Sequence, residues 1–139
     1  MGTRSLTIIK ADEWGEVEEI AVLYRQFDGY FDGHGMELAE FLSGIKVVNG
    51  LSSYGDKSVA NGATCLAARL ISHFKGDDPG GFYLYPAGAR NKGEEYVYTV
   101  TAGHDKPITL EASGYGGEFK GDPSEFSAWV ASLEEEEAE

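Results

Sequence analysis

Residues 24–36, with the sequence YRQFDGYFDGHGM, contain the densest group of chemically active side chains in the protein. They combine aromatic and imidazole rings with three glycines, two aspartates and one arginine, between a predicted strand and a predicted helix. A short connection of this kind needs only turn residues, so rings held between glycines indicate a surface that contacts a ligand or partner. Four of its residues are therefore candidate ligand-binding residues: Arg25, Asp28, Tyr30 and His34.

His34 lies between two glycines, which allow a ligand or another backbone segment to approach the imidazole closely. As a general base it would need an orienting carboxylate, which Asp28 or Asp32 could supply. The same three side chains could hold a metal ion, but their spacing matches no known loop, and Asp-Gly pairs are typical of tight turns. No nucleophile signature accompanies His34. We therefore expect no catalytic residues, no metal site and no cofactor.

A second candidate region covers residues 82–91, with the sequence FYLYPAGARN. It offers a ring for stacking in Phe82, a planar cation in Arg90 and an amide in Asn91, which together suit a base and a phosphate. The alternative is that the alternating rings simply pack a sheet. If the ligand interpretation holds, Arg90→Ala or Phe82→Ala is expected to weaken binding by about tenfold to a hundredfold.

Residues 50–58, GLSSYGDKS, nearly match the phosphate-binding pattern G-x-x-x-x-G-K-S. However, Asp56 is inserted before Lys57, which displaces the lysine and adds negative charge where phosphate oxygens would lie. The parallel sheet that such a loop requires is not predicted either. A plain flexible loop is the favoured interpretation. The alternative is an anion contact made by Lys57 and by backbone amides at the start of the next helix.

The composition limits the classes of partner. The chain has 139 residues, enough for one domain, and a net charge of −13, with eight acids against one lysine from residue 118 onward. Such a surface opposes non-specific binding to nucleic acids and anionic membranes, and it suits either solubility or a basic partner. A single cysteine, no secretory signal and no apolar stretch near the ~20 residues of a membrane span predict a cytoplasmic protein.

Hydrophobic periodicity predicts an α+β fold, with one domain over residues 1–133, an antiparallel sheet of five or six short strands and about three helices. The strongest helical pattern covers residues 61–75. Asp122, Pro123 and Glu125 form a capping box that begins the last helix. Residues 134–139 are predicted to fray, because their like charges repel at the negative end of that helix. Strands are expected at residues 5–10, 17–26, 45–48, 82–85, 95–102 and 107–112, a turn at 11–15 and a short helix at 35–43.

Three segments resemble a family of small phage and prophage proteins with bacterial relatives: MGTRSLT, then YRQFDGY, then GHG followed by ELAEFL. The resemblance covers about residues 1–50. It extends to the Thoeris anti-defence proteins, which sequester cyclic ADP-ribose-type signals in pockets between protomers. It implies a homo-oligomeric binding protein in which Phe82, Arg90 and Asn91 hold such a ligand. The strongly acidic tail departs from the family pattern.

We therefore expect a non-enzymatic binding protein of viral or prophage type that captures a small phosphorylated, nucleotide-like signal molecule. Arginines would contact its phosphates, and rings would stack on its base. The second hypothesis is an acidic inhibitor that presents its carboxylates to a basic nucleic-acid-binding protein. The third is a small hydrolase that uses His34. The first hypothesis requires an anionic small-molecule partner, and it involves no direct contact with nucleic acid or membrane.

The acidic tail gives a first testable prediction. Deleting residues 135–139 should leave the free energy of unfolding and any ligand affinity unchanged, because Leu133 is the last large apolar residue of the chain. Chemical denaturation and calorimetry measure these two quantities. If the acidic-inhibitor hypothesis is correct, the same truncation weakens partner binding and flattens its salt dependence.

Overall fold

The computed structural model describes residues 2–50 and 55–138, with side chains through residue 135. Within these residues there are three α-helices, α1 Met36–Ser43, α2 Gly62–Lys75 and α3 Phe126–Ala138. A single π-helical turn, Phe31–Gly35, precedes α1, and a 3-10 turn, Pro123–Glu125, precedes α3. The strands are β1 Ser5–Glu13, β2 Glu16–Arg25, β3 Lys46–Val48, β4 Val59–Asn61, β5 Phe82–Pro86, β6 Tyr96–Ala102, β7 Thr109–Gly114 and β8 Gly117–Gly121.

Six of these strands form the main sheet, in the order β5-β2-β1-β6-β7-β8, and β3 and β4 form a small second sheet. The α+β class and the three helices are confirmed. The main sheet is mixed, because β1 pairs in parallel with β6 while every other neighbouring pair in it is antiparallel. A long crossover connects β1 to β6, and local sequence patterns do not encode which strand fills the free edge of β1.

One face of the sheet carries the main core, in which α2 packs on the central strands, α3 packs on the edge strand β8, and buried side chains of α1 complete the cluster. The apolar stripe predicted for residues 61–75 is confirmed, since Ala63, Leu66, Ala67 and Leu70 of α2 are all buried. Within the described residues, the opposite face has a small cluster, in which Leu6, Ile8, Val22 and Tyr24 are covered by Tyr85, Ala89 and Val97. The helices therefore stabilise one face of the sheet, and a loop after β5 protects the other.

The predicted start of α3 is confirmed in detail. The carboxylate of Asp122 accepts a hydrogen bond from the backbone N–H of Ser124 at 2.9 Å, and the backbone N–H of Asp122 donates to the Glu125 carboxylate at 3.3 Å. Pro123 occupies the first position of the 3-10 turn, where no N–H is needed. None of the helices in residues 2–50 and 55–138 is long and apolar enough to cross a bilayer.

Three elements differ from the sequence prediction. One is the short strand β4, Val59–Asn61, in a segment where no strand was expected. The turn predicted at residues 11–15 is wrong, because β1 extends to Glu13 and only Trp14 and Gly15 connect it to β2. A β-bulge at Ile9/Lys10 shifts the register of this hairpin, which removes the clean alternation expected of a strand. The strand β8, GEFKG, was not predicted because its glycines resemble a loop.

The packing of α2 supports a stability prediction. Leu70 is fully buried between α2 and the sheet, so Leu70→Ala should lower the free energy of unfolding by about 2–5 kcal/mol. Leu84→Ala provides the matched control, because Leu84 on the edge strand β5 is 61% exposed and its truncation should cost less than ~1 kcal/mol. Urea denaturation of both variants measures the difference, and equal losses would contradict the assignment of the core.

Candidate functional site

Five of the eight predicted site residues lie together at one end of the sheet, where β2 ends at Arg25 and β5 begins at Phe82. These two residues are direct neighbours in the antiparallel pair β2/β5. The loop that follows Arg25 then places the other three close by. The five residues are Arg25, Asp28, Tyr30, His34 and Phe82.

The loop after Arg25 packs against the protein instead of standing out from it. The backbone N–H of Gly29 donates to the Thr3 carbonyl at 2.9 Å, and the N–H of His34 donates to the Asp28 carbonyl at 2.7 Å. Gly35 packs so closely that a Cβ atom there would lie 2.8 Å from the Phe126 ring. The glycines of this loop therefore serve internal packing, whereas the sequence interpretation assigned them to ligand approach.

Phe31 anchors the loop in an aromatic cluster. Its ring makes edge contacts with Tyr96 and Trp129, both at centroid distances of 4.8 Å, and more distant ones with Tyr98 and Phe126. The hydroxyl of Tyr98 donates to the Gly29 carbonyl at 2.7 Å, and burial raises the pKa of this phenol above its usual range. The start and the middle of the loop are thus fixed to β6 and α3.

His34 is completely buried, which corrects the expectation of an accessible imidazole. Its Nε2 lies 2.7 Å from the Thr7 hydroxyl and its Nδ1 lies 3.2 Å from an Arg25 guanidinium nitrogen. Because a guanidinium only donates, Nδ1 must accept, so the proton of the neutral ring is on Nε2 and is donated to Thr7. Burial, reinforced by the charge of Arg25, lowers the pKa of His34 to about 3.

Arg25 is the polar centre of this end of the sheet, and its side chain is only 13% exposed. Besides His34, it donates a hydrogen bond to the Glu37 carboxylate on α1. Its guanidinium also lies 4.9 Å above the centre of the Phe82 ring, within range of a cation–π interaction, and 4.0 Å from the Asp28 carboxylate. Tyr30 in turn donates to Asp28 at 3.1 Å.

A cleft of about 510 Å³ opens beside Arg25, and we refer to it as the aromatic cleft. The rings of Phe41 and His73 stack on one side of it with 4.5 Å between their centroids and 23° between their planes. The lining residues are Arg25, Glu37, Glu40, Phe41, His73, Phe74 and Phe82. Sequence analysis did not assign the helix residues to a site. Phe41 and Phe74 lie on different helices, and only the contact between α1 and α2 turns their rings toward one cleft.

Arg90 and Asn91 do not lie with Phe82, although they follow it closely in sequence. Phe82 begins β5, whereas Arg90 comes after the other end of the strand at Pro86, which pairs with Ala21. Arg90 forms two hydrogen bonds with the Glu19 carboxylate, at 2.8 and 3.1 Å, and the hydrogen bond from Arg90 lowers the pKa of Glu19. The expectation that Phe82, Arg90 and Asn91 contact one ligand together is therefore corrected, because the length of β5 separates Phe82 from the other two residues.

Asn91 has a turn role. Its backbone has a φ of +62°, and its N–H donates to the Glu94 carboxylate at 3.2 Å. Asn is among the residues that tolerate this left-handed conformation best, which explains its presence at this position without a ligand.

Lys57 is likewise absent from the lining of the aromatic cleft. Its side chain is exposed, and its carbonyl accepts a hydrogen bond from Arg69 of α2 at 2.7 Å. Asp56 accepts hydrogen bonds from the backbone N–H and the hydroxyl of Ser58, so this amide is already bonded within the loop. Residues 51–54 of the predicted flexible loop lie outside the described residues.

No group of three metal-ligating side chains is found in the described part of the chain. Comparison with protein-family models, curated proteins and solved structures gives no match. The resemblance to small phage proteins therefore stays a prediction.

The burial of His34 predicts a pH dependence of stability. In the unfolded chain the imidazole titrates near its ordinary pKa of about 6.5, whereas in the fold it stays neutral down to about pH 3. Unfolding therefore takes up a proton in this window, so the stabilising effect of neutral His34 is lost as the pH falls from about 6.5 toward 3.

The measurement compares the unfolding free energies of the natural protein and His34→Gln across this range. Their difference should shrink with a slope that approaches about 1.4 kcal/mol per pH unit below about pH 6. Carboxylates that titrate in the same range cancel in the comparison. Two parallel stability curves would show that His34 is protonated in the fold.

Proposed function

We propose that the protein is a non-enzymatic binding protein that captures a small nucleotide-like molecule in the aromatic cleft. The observation that carries this proposal is the Arg25 guanidinium stacked over the Phe82 ring at the wall of a cleft with further ring faces. A fixed planar cation beside aromatic faces suits a ligand that combines a flat base with a phosphate.

The size and lining of the cleft support a small ligand. Its volume of about 510 Å³ falls within the range of about 300–1,000 Å³ that is usual for small-molecule pockets. Phe82 and the stacked pair Phe41–His73 offer ring faces, on which a base can stack with little dependence on its identity. Specificity must then come from the polar groups at the edge of the cleft.

The charged groups that line the cleft limit how much negative charge a ligand can carry. Arg25 is the one cation in the described lining, and it already contacts Glu37, while Glu40 adds a second carboxylate. Carboxylates accept hydrogen bonds from ribose hydroxyls and from amino groups, but they repel a chain of phosphates. The cleft therefore suits a ligand with one or two phosphates better than a triphosphate.

Capture without turnover fits the state of His34. A general base must reach the proton that it removes, but His34 is enclosed, and its acceptor nitrogen faces Arg25. The hydrolase hypothesis has no support from this geometry. The resemblance to the anti-defence proteins suggests the ligand. We therefore propose that it is a cyclic ADP-ribose-type signal. We further propose that a homo-oligomer of this chain binds it in the host cytoplasm.

Calorimetry against a panel of an adenosine monophosphate, an adenosine triphosphate and cyclic ADP-ribose tests the proposal. Phe82→Ala should weaken binding of the best ligand by about tenfold or more, through lost stacking. Two controls should leave binding unchanged: Tyr83→Ala, on the opposite face of the same strand, and Arg90→Ala, which removes a cation bonded to Glu19.

Circular dichroism confirms that each variant is folded. A panel without any binder, or binding that survives Phe82→Ala, would refute ligand capture at this cleft. If Arg90→Ala weakens binding as strongly as Phe82→Ala does, the binding site includes the loop after β5 and is not confined to the aromatic cleft.

A further inference from the structure

The hairpin that connects β1 to β2 presents a tryptophan to solvent. Trp14 is 89% exposed, and its only ring contact in the described residues is an edge contact with His104, at 5.8 Å between centroids. Val17, near the start of β2, is 57% exposed. We refer to these two residues and the exposed carboxylates of Glu16 and Glu18 as the Trp14 surface. Packing in the core therefore does not explain why a large apolar side chain occupies this position.

The backbone conformation at Trp14 disfavours a bulky side chain. Trp14 has a φ of +57° and Gly15 a φ of +84°, so both residues of this two-residue turn are in the left-handed region. Such turns favour Asn, Asp or Gly at the first position, and a bulky side chain there is strained. The chain thus keeps a tryptophan at a position where it gains little burial and costs conformational energy, which is typical of a functional residue.

The charges around Trp14 are of one sign. From residue 11 to residue 24 the sequence contains five acids and no lysine or arginine. Three of these acids have partners in the fold: Asp12 with Lys106 at 3.4 Å, Glu13 with His104 at 2.6 Å and Glu19 with Arg90. The exposed Glu16 and Glu18 form no ion pair within the described residues, and together with Trp14, Ile20 and Thr64 they line a depression of about 670 Å³.

The strand residues directly before the turn are held in place. The Glu13–His104 pair connects β1 to the turn after β6, and Lys106 also donates to the carbonyl of Asp12 at 3.0 Å. Gly62, at the start of α2, lies so close to His104 that a Cβ atom would stand 2.7 Å from the imidazole. Because these residues are already fixed, less conformational entropy is lost when a partner covers the exposed ring of Trp14.

We propose that the Trp14 surface is the docking site for an arginine-containing, basic segment of another protein. A guanidinium stacks on the indole face while carboxylates contact its nitrogens, and an exposed indole is a typical centre of binding energy in interfaces. The surface lies at the opposite end of β2 from Arg25, roughly 30 Å away at the usual rise per strand residue. The inference therefore stands independently of the aromatic cleft.

Charge complementarity selects this occupant over the alternatives. A second copy of the chain would bring the same unpaired carboxylates against the surface, and nucleic acid would bring phosphates. A guanidinium is preferred over an ammonium because it is planar, weakly hydrated and able to bond carboxylates with two parallel hydrogen bonds.

The test uses an arginine-rich peptide without aromatic residues, titrated into the full chain by calorimetry, with a lysine-rich peptide of equal length beside it. We expect tighter binding of the arginine peptide. Trp14→Asn, and separately Glu16→Gln with Glu18→Gln, should each weaken this binding by about tenfold. The matched control, Glu134→Gln with Glu135→Gln, removes the same charge from the tail and should change the affinity by less than about twofold.

Trp14→Asn separates a binding role from a structural one. Asn suits the left-handed turn, so this variant should keep or raise the melting temperature while it loses binding. A lower melting temperature would show that Trp14 stabilises the fold and would overturn the proposal. Equal weakening in the tail control, or no preference for arginine, would show general attraction to an acidic protein and would also overturn it. Sedimentation that shows a dimer disrupted by Trp14→Asn would assign the surface to a second copy.

Discussion

The arrangement of this protein depends on the hydrogen-bonded chain from Thr7 through His34 to Arg25. A buried polar group is stabilised when it is hydrogen-bonded, because an unsatisfied one costs about 1–3 kcal/mol. His34 comes from the loop, Thr7 from β1 and Arg25 from the end of β2, so a single buried imidazole fixes three segments. The position of Arg25 over Phe82 follows from this constraint, and with it one wall of the aromatic cleft.

The elements that sequence analysis identified correctly are those that local chemistry specifies. The stripe of α2 repeats with helical period, so its burial follows from amphipathicity alone. Asp122, Pro123 and Glu125 cap α3 through contacts that span only three residues, and such contacts can be recognised without knowledge of the fold. The strand predicted at residues 17–26 is β2, which lies between β5 and β1 in the sheet.

What could not be predicted depends on contacts between distant parts of the chain. Arg90 and Glu19 are 71 positions apart, and no local pattern indicates that this carboxylate occupies the arginine expected to bind phosphate. The burial of His34 is similar, because its flanking glycines permit the loop to turn inward as well as outward. The aromatic cleft itself needs α1 and α2 side by side, and their contact is a tertiary property.

The parallel pairing of β1 with β6 also affects how the chain reaches its fold. The hairpin of β1 and β2 is complete once residue 25 has left the ribosome, but the strand that covers the other edge of β1 spans Tyr96–Ala102. About seventy further residues must therefore be synthesised before this edge can pair, which takes several seconds at about 5–20 residues per second. During this time the edge of β1 is open and the apolar side chains of Leu6 and Ile9 lack the cover that they have in the fold. A central strand whose second edge is paired only after most of the domain has been made is expected to slow folding, and until then that edge is open to pairing with other chains.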